Sequence, residues 1–277
     1  MINTPSRLPQ RLLTVAALSL AIAISGCQQQ PDANTADNTQ NNNPAVNTTM
    51  AEPQKQESTP SKHSAEQQAP LTILALGDSL TEGLGVDNDA NYPAQLEARL
   101  QELGYKDVKV INSGLSGETS TGLVNRLDWV LQTKPDITIL TIGANDAMRG
   151  IDVATVEANI RTAIKRLQDN GSEVILGGMQ IYDNLGSDYV ESFAAIYPRV
   201  AKDMNVTLIP FFLEGVGGDP KLNQADAIHP TREGYSIIVN DNILPILQPK
   251  IETEIEKREA AHTKQAKKPS APTETSQ

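Results

Sequence analysis

The sequence predicts an α/β fold: a three-layer α/β/α sandwich built on a five-stranded parallel sheet. Three observations lead to it. Five short apolar runs, Leu71–Leu76, Val108–Ile111, Ile137–Ile142, Val174–Leu176 and Val206–Ile209, punctuate residues 71–248. Stretches with apolar residues at helical spacing separate them, and no internal repeat or second series is present. Apolar strands joined by helices belong to a parallel sheet covered on both faces, because each crossover lays a helix on one face.

Each element has a local cause. Leu71–Leu76 stops at the turn Gly77-Asp78-Ser79-Leu80. Pro93 suits a helix's first turn, where its missing N–H is no loss, and Gly104 ends that helix. After Val108–Ile111, Thr119 or Ser120 caps a helix to about Thr133. Asp152 caps another, with Val153, Val156, Ile160, Ile164 and Leu167 on one face and Asn170-Gly171 as its stop. A single helix is expected from about Ser187 to Met204. The last begins near Thr231 and carries Ile237, Ile238, Ile243 and Leu247, with Pro245 as an expected kink. This order of elements is flavodoxin-like, an architecture whose sites gather at the carboxyl ends of the strands.

The flanks read differently. Residues 1–27 have a basic start (Arg7, Arg11), a 13-residue apolar run Leu12–Ile24, and then Ser25-Gly26-Cys27. That run is short of the roughly 20 residues a spanning helix needs, so it reads as an export signal. Its end resembles a bacterial lipobox, which would make Cys27 a lipidation site; the plain alternative is an ordinary cleaved signal. Cys27 is the only cysteine, so no intramolecular disulfide is possible. Residues 28–69 contain 14 Asn or Gln in 42 and no aromatic residue, the composition of a disordered polar tether. Its reach would be roughly 35 Å. Residues 70–248 form one domain. Residues 249–277 are expected to be a charged, mostly disordered tail, with at most a short helix at Ile251–Ala261.

Residues 71–248 hold 13 Lys+Arg against 24 Asp+Glu, which accounts for the chain's net −11. Such a surface repels phosphates, so no nucleic-acid partner is expected. No Gly-x-Gly-x-x-Gly or phosphate-loop pattern appears, and the domain has one histidine and no cysteine. No cofactor and no metal are therefore expected. The absence of a Gly-x-Ser-x-Gly elbow disfavours the larger α/β-hydrolase layout.

The segments after the strands are the informative ones. Gly77-Asp78-Ser79-Leu80 follows the first, Asn112 to Thr119 the second, Gly143-Ala144-Asn145-Asp146 the third, and Asp226-Ala227-Ile228-His229-Pro230 the fifth. A serine in a strand-end turn becomes a nucleophile only with a base in hydrogen-bond reach. His63 and His262 lie in polar segments expected not to fold, so His229 is the candidate base, with Asp226 three residues upstream to orient it. The set offers a nucleophile, backbone amides, the Asn145 amide and an oriented base, the parts of an acyl-transfer site. The plainer readings are a helix cap for Ser79, a loop histidine for His229 and turn residues for Gly117 and Asn145. Asp78 and Asp146 read as structural caps. Met148, Ile151, Ile181, Tyr182 and Leu185 line an acyl pocket or pack in the core.

These blocks, together with Ser116-Gly117-Glu118-Thr119-Ser120, Ala195-Ile196-Tyr197-Pro198 and Ile228-His229-Pro230, resemble the SGNH (GDSL) hydrolase superfamily. The bacterial thioesterase/lysophospholipase and arylesterase group is the nearest in pattern. The resemblance implies Ser79 as nucleophile, His229 as base and Asp226 as its orienter. It also implies an oxyanion hole of the Ser79 and Gly117 amides and the Asn145 side chain. Ala144 departs from the glycine common before this asparagine. The implied activity is hydrolysis of lysophospholipids, aryl esters, short-to-medium acyl esters or acyl thioesters. The expected state is a monomer, lipid-anchored on the periplasmic side of the outer membrane. The alternative locations are soluble periplasm and the outer face of the cytoplasmic membrane. The alternative functions are a carbohydrate O-deacetylase and a non-catalytic lipid- or cell-wall-binding lipoprotein.

Overall fold

The computed structural model describes residues 69–182 and 185–266. The signal segment, Cys27, the tether and the end of the tail lie outside the described residues. The elements in chain order are β1 (Leu71–Gly77), α1 (Ser79–Glu82), α2 (Tyr92–Glu102), β2 (Val108–Gly114), α3 (Ser120–Val130), β3 (Ile137–Thr141), α4 (Ala144–Met148) and α5 (Val153–Asp169). There follow β4 (Glu173–Gly177), α6 (Ser187–Ala194), α7 (Ile196–Met204), β5 (Thr207–Ile209), α8 (Arg232–Ile237) and α9 (Leu244–Ala266). A 3₁₀ turn at Leu131–Thr133 extends α3, and a π-helical stretch at Ile238–Ile243 joins α8 to α9.

The five strands are all parallel, in the order β2-β1-β3-β4-β5. This is the flavodoxin-like order, and it reverses between β1 and β3. Ile73, Leu74, Leu76, Ile139, Leu140, Ile175 and Leu176 have no exposed surface. The central strands are thus covered on both faces, by α2 with α8 on one side and α3, α5 and α7 on the other. The expected caps are in place. Thr119 Oγ1 accepts from Gly122 N (3.3 Å), Asp152 Oδ1 from Ala154 N (3.0 Å), and Thr231 Oγ1 from Gly234 N (3.2 Å).

Two boundaries differ from expectation, and the expected kink at Pro245 takes the form of a π-helical stretch. The helix from Ser187 breaks at Ala195 into α6 and α7, because Pro198 has no N–H to give the Ala194 carbonyl. Ahead of Pro245 the chain runs through the π-helical stretch, since the proline cannot donate to the Asp241 carbonyl. The tail is helical to Ala266 and His262 lies in that helix, so the domain does not end at 248. Ile251 is fully buried, a contribution of roughly 2 kcal/mol. Lys250 pairs with Glu173 (2.5 Å) and Arg258 with Asp136 (2.5 Å). Arg258 Nη1 also donates to the Ala69 carbonyl (2.8 Å). These ties clamp α9 across the amino ends of the strands. Beyond them Glu259–Ala266 contains no Gly or Pro to stop the helix.

Candidate active site

The register of the sheet builds the site. Gly77 pairs with Gly114 on one side and Thr141 on the other, so the segments after β1, β2 and β3 leave the sheet side by side. Both glycines are demanded by close approach. A Cβ on Gly77 would lie 2.3 Å from the Thr141 carbonyl oxygen, and one on Gly114 would lie 2.0 Å from Glu82 N. Their absence of side chains lets α1 fold back over the strand ends. Asp78 caps that short helix, its Oδ1 accepting from Leu80 N (3.1 Å), and Ser79 is its first residue.

The fourth segment arrives from the far side. Asp226 Oδ1 accepts from the N–H groups of Ile228 (2.9 Å) and His229 (3.0 Å), closing a tight loop in which Ala227 takes φ +59°. Tyr182 Oη donates to the Ala227 carbonyl (2.8 Å). Gln224 Nε2 donates to the carbonyls of Leu84 (2.8 Å) and Pro230 (3.1 Å), tying the loop to the segment after α1. So held, His229 Nδ1 lies 2.6 Å from Asp226 Oδ2 and Nε2 lies 2.8 Å from Ser79 Oγ. A carboxylate can only accept, so the neutral imidazole carries its proton on Nδ1. Nε2 is then the acceptor for the serine hydroxyl. The three residues form one unbroken proton line.

Hydrogen bonds, first from the His229 ring and then from the His229 and Ile228 amides, hold the Asp226 carboxyl down at about 2. It stays an anion wherever His229 needs an orienting charge. Asp78 shows the opposite effect: burial pushes its carboxyl up from 3.8 to about 6, against the pull of Leu80 N, His229 and Asn145. Between about pH 4 and 6 the unfolded chain has lost this proton while the native state keeps it. The contribution of Asp78 to stability therefore falls as pH rises through that window and is level above it. Thermal melts of Asp78→Asn test this. The variant's Tm relative to wild type should rise by roughly 5 °C between about pH 4 and pH 7, whereas a constant difference would show a carboxyl that is not held up.

The remaining expected residues sit on the same edge. Gly117 takes φ +76° in the loop after β2, its carbonyl accepts from Arg149 Nη2 (2.9 Å), and its N–H has no acceptor among the described residues. Asn145 is buried in α4, with Nδ2 donating to Asp78 Oδ2 (3.4 Å). Ala144 in place of glycine is accommodated, because Gly143 takes the unusual backbone angle, φ +121°. Asp146 is structural as expected, accepting from Ser120 N (2.8 Å) and Ser120 Oγ (2.6 Å). The apolar candidates divide. Met148 (57 % exposed), Tyr182 (57 %) and Leu185 (40 %) are open to solvent, while Ile151 and Ile181 pack against the core. Among the described residues no cluster of three or more His, Cys, Asp or Glu side chains is placed to hold a metal ion.

Sequence reasoning missed the supports. Arg126 forms a fork onto Glu118 and also reaches Ser113 and Gly77. A signal was present: Leu123, Arg126, Leu127 and Val130 occupy one helical stripe, so Arg126 is a charge at a core position. Tyr182 and Gln224 carried no such mark, since both act across long sequence separations.

The geometry agrees with what the chain is similar to. Residues 75–237 match the GDSL-like Lipase/Acylhydrolase family. The chain is 37% identical over 185 residues to "Esterase TesA" of Pseudomonas aeruginosa, covering 66% of this chain and 91% of that one. It is 35% identical over 170 residues to "Thioesterase 1/protease 1/lysophospholipase L1" of Escherichia coli K12, covering 61% and 80%. Among solved structures, the psychrotrophic esterase EstA from Pseudoalteromonas sp., inhibited by monoethylphosphonate, superposes with a TM-score of 0.62 at 28% identity. That match covers 66% of this chain and 99% of the other. With its fold and most of its domain matched by these proteins, the chain belongs to the GDSL-like lipase/acylhydrolase family of serine hydrolases.

Proposed function

We propose that the protein hydrolyses carboxylic esters through an acyl-enzyme on Ser79. The observation that carries this reading is the hydrogen-bonded line from Ser79 Oγ through His229 to Asp226. His229 Nε2 takes the hydroxyl proton as Oγ attacks the acyl carbonyl, and Asp226 stabilises the imidazolium that results. The amides of Ser79 and Gly117 and the Asn145 side chain receive the negative charge that develops on the carbonyl oxygen. His229 then returns the proton to the leaving alcohol or thiol. Water, activated by the same imidazole, releases the acid.

The substrate classes are acyl esters and thioesters, aryl esters and lysophospholipids, in line with relatives named esterase, arylesterase and thioesterase/lysophospholipase. The exposed Met148, in the helix of Asn145, Tyr182, bonded to the loop of His229, and Leu185 are the side chains proposed to meet an acyl chain. Rapid mixing with p-nitrophenyl esters of increasing chain length tests the mechanism. A burst of nitrophenol stoichiometric with enzyme, followed by slower turnover, is the expected result where deacylation limits. A wild-type protein that releases no nitrophenol above the buffer rate from any ester would overturn the reading.

The location is part of the same proposal: Cys27 carries lipid and holds the enzyme at the periplasmic side of the outer membrane. The support is the apolar run and small residues that precede Cys27. Detergent partitioning of wild type and Cys27→Ser tests it. Wild type should enter the detergent phase, and Cys27→Ser should lose its lipid with hydrolase activity kept. If both stay in the aqueous phase, Cys27 is no anchor.

A further inference from the structure

We infer that Arg126 and Glu118 are positioning residues, which hold the Gly117 amide in register with Ser79. The inference rests on the acyl-transfer reading and names a part of that machinery which touches no substrate.

The guanidinium of Arg126 joins three segments. Nε and Nη2 form a fork onto Glu118 Oε1 (2.7 Å) and Oε2 (2.6 Å). Nη1 donates to Ser113 Oγ (2.7 Å), and Nη2 to the carbonyls of Ser113 (2.8 Å) and Gly77 (3.3 Å). Gly77 lies two residues before the proposed nucleophile, Ser113 lies in β2, and Glu118 follows Gly117 directly. The pair is sheltered, with side-chain exposures of 19 % for Arg126 and 3 % for Glu118. One planar group thus fixes the distance between the strand end that delivers Ser79 and the loop that delivers Gly117. Gly117 itself has no side chain, and its φ of +76° is set by its neighbours. Arg149 holds its carbonyl, so both arginines act on the carboxyl side of Gly117. On the amino side Ser116 N donates to Glu82 Oε2 (2.7 Å). A lysine at 126 keeps the charge but cannot form the fork.

The effect belongs to the transition state, because an amide displaced by about 1 Å still admits the ester yet meets the oxyanion poorly. Two variants test it. Arg126→Lys breaks the fork. The double variant Arg126→Met/Glu118→Leu removes both buried charges together, a change that generally preserves folding where a single truncation leaves one charge stranded. Arg161→Lys, in the Arg161–Glu157 pair of α5, is the control for the same exchange in an ion pair outside the proposed machinery.

Expected for both test variants is a fall of about 30-fold in kcat on a p-nitrophenyl ester with KM within about threefold. Phenylboronic acid, which forms a tetrahedral oxyanion on a nucleophilic serine, should lose affinity in parallel, and the melting transition should remain cooperative. The control should keep wild-type kcat. If the double variant does not fold, Arg126→Lys decides. The inference is overturned if a folded test variant keeps kcat within about threefold, or if kcat falls while boronic acid binding is unchanged. A wild-type protein without esterase activity would fail the acyl-transfer reading. Active variants beside an active wild type would fail this inference alone.

Discussion

Replacing Ser79 by alanine is expected to lower kcat for ester hydrolysis by roughly 10⁵- to 10⁶-fold while the domain folds as before. The side chain is small, and its hydroxyl is engaged by His229 Nε2 (2.8 Å), so its loss removes a bond-forming atom and little packing. Some catalysis should survive. The amides of Ser79 and Gly117 and the Asn145 side chain remain to polarise a bound carbonyl, and water can attack in place of the serine at about 10³-fold over the uncatalysed rate. Steady-state assays with a melting curve on the same preparation check this. More than a tenth of wild-type activity in a folded Ser79→Ala protein would remove Ser79 from the mechanism.

His229→Ala should cost about as much as Ser79→Ala, and the double variant should be no worse than either single one. The reason is that the two residues perform one act. Without an acceptor at Nε2 the hydroxyl keeps its proton, and without a hydroxyl the acceptor has nothing to take. Equal single and double losses are therefore the signature of a shared step, whereas multiplied losses would place the two residues in separate steps. Asp226→Asn should fall short of both, because it leaves nucleophile and base in place and alters only the partner of Nδ1.

The fold was legible where it depends on local pattern. The five apolar runs became the five strands, and Thr119, Asp152 and Thr231 cap the helices they precede. The site residues could be picked out because each follows a strand, and a parallel sheet brings all such segments to one edge. One failure was the break between α6 and α7. Pro198 lies in a run whose apolar spacing is helical, and periodicity does not register a missing N–H four residues after a carbonyl. The helix to Ala266 was hidden for another reason. Its composition is that of a solvated tail, and what orders it is the burial of Ile251 and the contacts of Arg258 with residues more than a hundred positions earlier. Arg126 was marked as a charge on the core stripe of its helix, but its partners Gly77 and Ser113 lie on other elements, so the stripe alone could not name them.

The clamp of α9 on the amino ends of the strands has a consequence for the time course of folding. Arg258 meets the Ala69 carbonyl across 189 positions of sequence, so the contact closes nearly the whole domain into a loop. Closing such a loop costs about 2 kcal/mol more in chain entropy than closing one of about 12 residues. Contacts of this span form late and slow the approach to the native state. A chain delivered amino terminus first would have almost all of the domain available before this latch could engage. Until then the starting ends of β1 and β3 lack the Arg258 contacts that tie them to α9.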